Sequence, residues 1–251
     1  MWRELAAVRA AVMFFTRLPW PSHRPWDPED LQRAAAWFPW VGALVGAFAA
    51  VVWWLAAEVA GLPPLLASGL SLAASVVLTE AFHEDGWADV CDGFGGGYTK
   101  ARTLEIMKDS RIGAFGAVGL VLMLRLKWHA VASAPSRWVV EALICLHILS
   151  RTASAMLMVC MRYVAEEGKA KPLATRLRGG RLGWVMLAGG CALGGLPGDA
   201  RWSVAGGVVV MTVLMARWFM SRIGGYTGDC LGAVQQGAEL TGWLILVGVA
   251  R

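Results

Sequence analysis

Two uninterrupted charge-free stretches, residues 34–57 and 59–79, constrain this chain more than any other feature of it. They hold 24 and 21 residues, and a helix needs roughly 20 apolar residues to cross the hydrocarbon of a bilayer. Such a stretch has to be helical there, because lipid offers its backbone no hydrogen-bond partners. Four further runs, residues 112–133, 138–161, 182–198 and 202–221, are long and apolar enough to follow suit, and residues 240–250 form a short last candidate. Composition agrees: 57% of residues are hydrophobic and 16% charged, against roughly 25% charged in soluble domains. The expected fold is an all-α polytopic membrane bundle of six or seven helices. With no fixed-period repeat and no low-complexity tract, residues 1–251 read as a single integral membrane domain.

The opening "MWRELAAVRAAVMFFTRLPWP" has no small-residue cleavage site, so it is expected to stay attached. Trp2, Leu5, Val12, Met13 and Phe15 set against Arg3, Arg9 and Arg17 suit an interfacial amphipathic helix, which Pro19 and Pro21 end. With the amino terminus in the cytoplasm, 17 of the 23 Lys and Arg fall in cytoplasmic segments and 3 in outer ones. The formal charge of +5 therefore reads as membrane topology. Dispersed among loops, these cations give no basic domain for nucleic acid. Five widely separated cysteines, with no CxxC pair, exclude a disulfide or zinc framework.

The chemistry concentrates in residues 79–116. Asp85, Asp89 and Asp92 stand at i, i+4 and i+7, which on a helix puts three carboxylates on one narrow face. Stacked like charges repel, so a divalent cation is the natural counterpart, and oxygen ligands select Mg²⁺, Mn²⁺ or Ca²⁺ over zinc. A solvated acidic helix end is the plainer alternative. This helix is expected to continue directly from the second span, and the "GFGGG" run to break it into a loop. Lys100, Arg102, Lys108 and Arg111 follow, and cations beside a metal-binding carboxylate cluster suit a diphosphate. By themselves they would read as an ordinary positive-inside loop. Glu80 and His83 are candidates for metal or acid–base work, and Asp109 for completing the metal shell or accepting a proton.

A second polar island, "RIGGYTGDCLGAVQQGAE", carries Asp229 among glycines, either as a further carboxylate of the site or as a turn cap. Arg151, halfway along an apolar run, has to face the bundle interior and meet an anion. Lys171 either grips phosphate or orients its loop. The span centres otherwise offer little besides Arg151.

The motifs "FHEDGWADVCDGFGGG", "EIMKDSRIGAFG" and "GGYTGDCLGA", with "FFTRLPWP" and "WFPWVGALVGA", resemble the adenosylcobinamide-GDP ribazoletransferase (cobalamin synthase) family over nearly the whole chain. The resemblance implies a multi-pass enzyme of the bacterial inner membrane with its active site on the cytoplasmic side. It also implies Mg²⁺ as cofactor, adenosylcobinamide-GDP and α-ribazole or its 5′-phosphate as substrates, and GMP as leaving group. Asp85, Asp89, Asp92 and Glu80 would then hold metal. Lys100, Arg102, Lys108, Arg111, Arg151 and Lys171 would bind substrate, and Asp229, Asp109 or His83 would move the proton. Membrane lipid is the surrounding partner, and homo-oligomerisation is left open. CDP-alcohol phosphotransferases look like distant relatives, but their D-x2-D-G-x2-A-R run differs from Asp85-x3-Asp89-x2-Asp92-Gly93, so their residue roles do not transfer. The competing readings are an isoprenoid or phospholipid transferase and a divalent-cation transporter.

Overall fold

Apolar runs without charges or strand-type alternation become helices, and the computed structural model of the chain bears this out. It describes residues 2–21, 28–165, 177 and 179–250, without the side chains of 28 and 199. In chain order the helices are α1 (Trp2–Phe15), α2 (Pro28–Ala34), α3 (Phe38–Trp54), α4 (Pro64–Leu78), α5 (Phe82–Gly96), α6 (Lys100–Met107), α7 (Ala114–Ser133), α8 (Ser136–Cys160), α9 (Gly180–Gly195), α10 (Gly198–Ile223) and α11 (Gly228–Val249). Among the described residues the only extended pairing is an isolated bridge between Tyr163 and Tyr226. Among the described residues four helical segments are long and apolar enough to cross a membrane, Glu29–Val59, Ala114–Ser133, Ser136–Cys160 and Ala200–Ile223, or five if the bent pair α4 and α5 makes one span, against the six or seven expected.

Small residues let the central helices touch. Gly42 and Gly46 of α3 lie against the backbone of α8, where an added Cβ on Gly46 would sit 2.7 Å from the Ile144 Cα. α8 is the most enclosed of the spans and α10 the least, so α10 turns most of its apolar surface away from the rest of the protein. On α1 the buried face is Ala7, Ala10, Ala11, Val12 and Phe15, while Trp2, Leu5 and Met13 point away from the protein.

Four expectations need correction. The acidic helix does not continue from the span before it: α4 and α5 are bent by 89°. Between them Glu80 and Ala81 both take left-handed conformations, φ 55° and 54°, which turn the chain through a right angle without a glycine. The glycine run does break α5, but only at its end. Gly93 and Gly95 stay helical and receive Met107 and Phe115 where a side chain would otherwise stand, and the helix ends only at Gly97. The last span is not an eleven-residue stub, because α11 starts at Gly228, and Glu239, which looked like its boundary, is 2% exposed in the bundle interior. Finally, the span centres are not empty, as the buried polar groups described below make plain.

Candidate active site

α5 and α11 bring the acids together. Gly86 has no side chain, so the Asp229 backbone approaches it: an added Cβ would lie 2.8 Å from the Asp229 carbonyl oxygen. One turn deeper, Gly232 of α11 faces the His83 backbone in the same way. Asp229 therefore arrives beside the face that carries Asp85 and Asp89. The charges of Asp229, Asp85 and Asp92 all bear on Asp89, and that of Asp85 bears on Asp229. Asp85 is exposed, while Asp89 and Asp229 are half-buried. Thr227 opens α11 as its N-cap, accepting from the Cys230 N–H, and its hydroxyl donates to Asp229 at 3.2 Å. Asp229 thus sits in the first helical turn, where the macrodipole favours an anion.

Asp92 has a different job at hand. Its two oxygens accept N–H bonds from Gly113 and Gly116, both at 2.7 Å, at the start of α7. A Cβ on Gly116 would overlap this carboxylate. Asp92 thereby clamps α5 to α7, and its remaining lone pairs are all it can offer a ligand.

The cations lie beyond Asp92. A cleft of about 520 Å³ is lined by Asp92, Arg102, Glu105, Asp109, Arg111 and the start of α7. Arg102 pairs with Glu105 at 2.9 Å. Arg111 grips Asp109 through two bonds of 3.0 and 2.7 Å, holding the Asp109 carboxyl at about 2, well below the usual carboxylate range. Lys108 is exposed nearby, and Lys100 points toward Gly224 together with Arg162. Arg222, which no motif marks out, donates to the carbonyls of Phe94 and Gly97 and so closes the carboxyl end of α5.

Other candidates fall elsewhere. Glu80 is exposed and pairs with Arg17 at 2.8 Å, linking the corner to the amino-terminal segment. His83 is buried, stacked on Phe15 at 5.4 Å and turned away from the acids. Arg151 is buried in α8 and donates to the His147 carbonyl at 3.1 Å. Lys171 lies outside the described residues.

Sequence reasoning missed a buried polar set joining four helices: Glu84 on α5, Lys127 on α7, His147 and Ser150 on α8, and Gln235, Gln236 and Glu239 on α11. The signal was present in the polar letters inside or beside the apolar runs, to which sequence reasoning assigned no role.

Does the acidic pocket fit a divalent cation? Its donors are all hard oxygens, and among the described residues neither Asp85 nor Asp89 has a hydrogen-bond or ion-pair partner, so the chemistry fits. As placed, no three such side chains among the described residues close around one ion, which matches the one or two carboxylates by which Mg²⁺ is usually held, water and phosphate oxygens filling the rest of its shell.

Comparison with known proteins follows the same residues. The family described as cobalamin-5-phosphate synthase matches residues 7–247. The adenosylcobinamide-GDP ribazoletransferase of Leptothrix cholodnii is 45% identical over 247 residues, covering 93% of both chains. That of Ralstonia pickettii is 43% identical, covering 97% of this chain and 94% of its own, and that of Shewanella frigidimarina is 39% identical, covering 98% and 96%. No solved structure matches. Matched from end to end by that family and by several of its transferases, the chain belongs to the cobalamin-5-phosphate synthase family.

Proposed function

We propose that this chain transfers the adenosylcobinamide-phosphate group of adenosylcobinamide-GDP to a free ribose hydroxyl of α-ribazole, or of its 5′-phosphate, releasing GMP. The observation that carries the reading within the family is the meeting of Asp229 with Asp85 and Asp89 across the Gly86 contact, beside a cleft lined with arginines. That ribose oxygen bonds to the cobinamide-side phosphorus and gives up its proton to a base, while the phosphorus releases the oxygen bridging to GMP.

Asp85 and Asp89 would hold Mg²⁺, with Asp229 or the free lone pairs of Asp92 completing the set. When bound, the ion neutralises charge on the diphosphate oxygens. Arg102, Lys108 and Arg111 face the nonbridging oxygens from the cleft side. The base role goes to Asp229 for geometric reasons. Asp109 is locked to Arg111 and too acidic to take a proton readily, and His83 is sealed under Phe15. Asp229 comes from a second helix and can reach the acceptor from its own side.

The site opens to the cytoplasm of a bacterial inner membrane in this reading, supported by the lopsided Lys and Arg count. The test is direct. Purified protein in lipid nanodiscs, given adenosylcobinamide-GDP, α-ribazole and Mg²⁺, should yield cobalamin and GMP in equal amounts. Absence of both products from well-folded protein would refute the reading.

A further inference from the structure

Below the aspartates, the same three helices are tied a second time. Lys127 of α7 donates to Gln236, and Gln236 donates to Glu84 of α5 at 2.8 Å. Lys127 also lies 3.3 Å from Glu239 of α11. Gln235 donates to Glu239 at 2.6 Å and also lies 3.1 Å from the Ser150 hydroxyl. Glu239 further lies 3.3 Å from His147 Nδ1, which Arg151 also approaches at 3.2 Å; one ring nitrogen can donate to the carboxylate or accept from the guanidinium, not both. Lys127 and Glu239 are each 2% exposed, so neither end of the pair is shared with solvent.

This set has more polarity than stability asks for. Apolar residues of the same volume would pack such a position at least as well, because a buried ion pair often fails to recover its desolvation cost. Its position supplies the reason. Glu84 is the neighbour of Asp85, and Gln236 stands two turns along α11 from Asp229, on the same face. The bond between them fixes how far α5 slides along α11, and that slide sets the spacing of Asp85 and Asp89 from Asp229. α7 is held at both ends of the arrangement, by Asp92 at its start and by Lys127 further along. Two small-residue contacts, Gly86 and Gly232, leave the interface smooth enough to slip without such a lock.

We propose that Gln236, Lys127 and Glu239 are positioning residues that lock the register of α5 against α11 and thereby set the geometry of the acidic pocket. The assignment rests on the transferase reading above and deepens it. These residues touch no substrate and act through Glu84 and the helix it belongs to.

The test uses full-length protein in nanodiscs, with Mn²⁺ alone as probe, followed by electron paramagnetic resonance. In the double variant Lys127→Met/Glu239→Met the ion pair is replaced by apolar groups of similar volume, so one charge of each sign leaves and the net charge of the set is unchanged. The expected result is an unfolding temperature near that of wild type, Mn²⁺ binding weakened about tenfold or more, kcat reduced at least tenfold, and KM for adenosylcobinamide-GDP nearly unchanged. Gln236→Leu, measured in the same way, should repeat the pattern and serves if the double variant does not fold. Wild-type Mn²⁺ binding in either folded variant would overturn the proposal and show the network to be packing alone. Mn²⁺ titration needs no substrate, so wild-type protein that binds the ion but makes no cobalamin would refute the transferase reading instead.

Discussion

Asp229 and Asp109 are both aspartates near the same cleft, yet their surroundings give them opposite prospects. Asp109 spends both oxygens on Arg111 in an exposed loop, whereas Asp229 has only the Thr227 hydroxyl and otherwise faces other acids. Asp229→Asn should lower the single-turnover rate by about 10²- to 10⁴-fold with little change in Mg²⁺ dependence, as loss of a general base does. Asp109→Asn should change it by less than about threefold. If raised Mg²⁺ restores most of the Asp229→Asn rate, that residue is a ligand and not the base. The i, i+4, i+7 spacing made the acidic face legible from sequence, since it needs only helical geometry. It could not show that Asp92 would be drawn off to the start of α7, because that depends on where another helix begins.

The packing of α5 on α11 depends on a residue that contributes nothing but absence. Gly86→Ala would place a methyl 2.8 Å from a backbone oxygen that cannot rotate aside, so α5 must shift. The expected cost is about 1–3 kcal/mol of stability with a larger loss of activity, read by thermal unfolding and turnover on the same preparation. Unchanged activity would show that the Asp229 approach is not needed. The sequence showed helices here but misjudged their ends in a consistent direction. Charges and glycines were taken as boundaries at Glu239 and at Gly93–Gly97. In fact Glu239 is paired inside the bundle, and Gly93 and Gly95 accommodate neighbours. Hydropathy scores one residue at a time and has no term for partners that other helices bring. The right-angle corner at Glu80 and Ala81 left no trace either, because neither residue favours a left-handed backbone.

Across the whole molecule the acids, the arginine-lined cleft, the start of α7, the end of α10 and the start of α11 share one end of the bundle. Orientation then becomes a single question with a single answer. Single cysteines introduced at Tyr98 or Ser110, both exposed at that end, should be shielded from a membrane-impermeant thiol reagent in intact cells and react after the membrane is opened. Labelling in intact cells would place the site on the outer side, away from cytoplasmic nucleotides.

Glu84 of α5 and Lys127 of α7, both buried, find their partners on α11, which follows them both in the chain. During synthesis, then, Lys127 enters the membrane before Glu239 exists to meet it, and α5 and α7 wait with their polar groups unanswered. The bundle is finished by its last arrival, so assembly of the site waits on the insertion of α11. A chain stopped before Gly228 should insert and then be cleared by membrane proteases within minutes, while the complete chain persists, a contrast that pulse–chase labelling would resolve. Cells would thus discard unfinished copies before they could bind substrate.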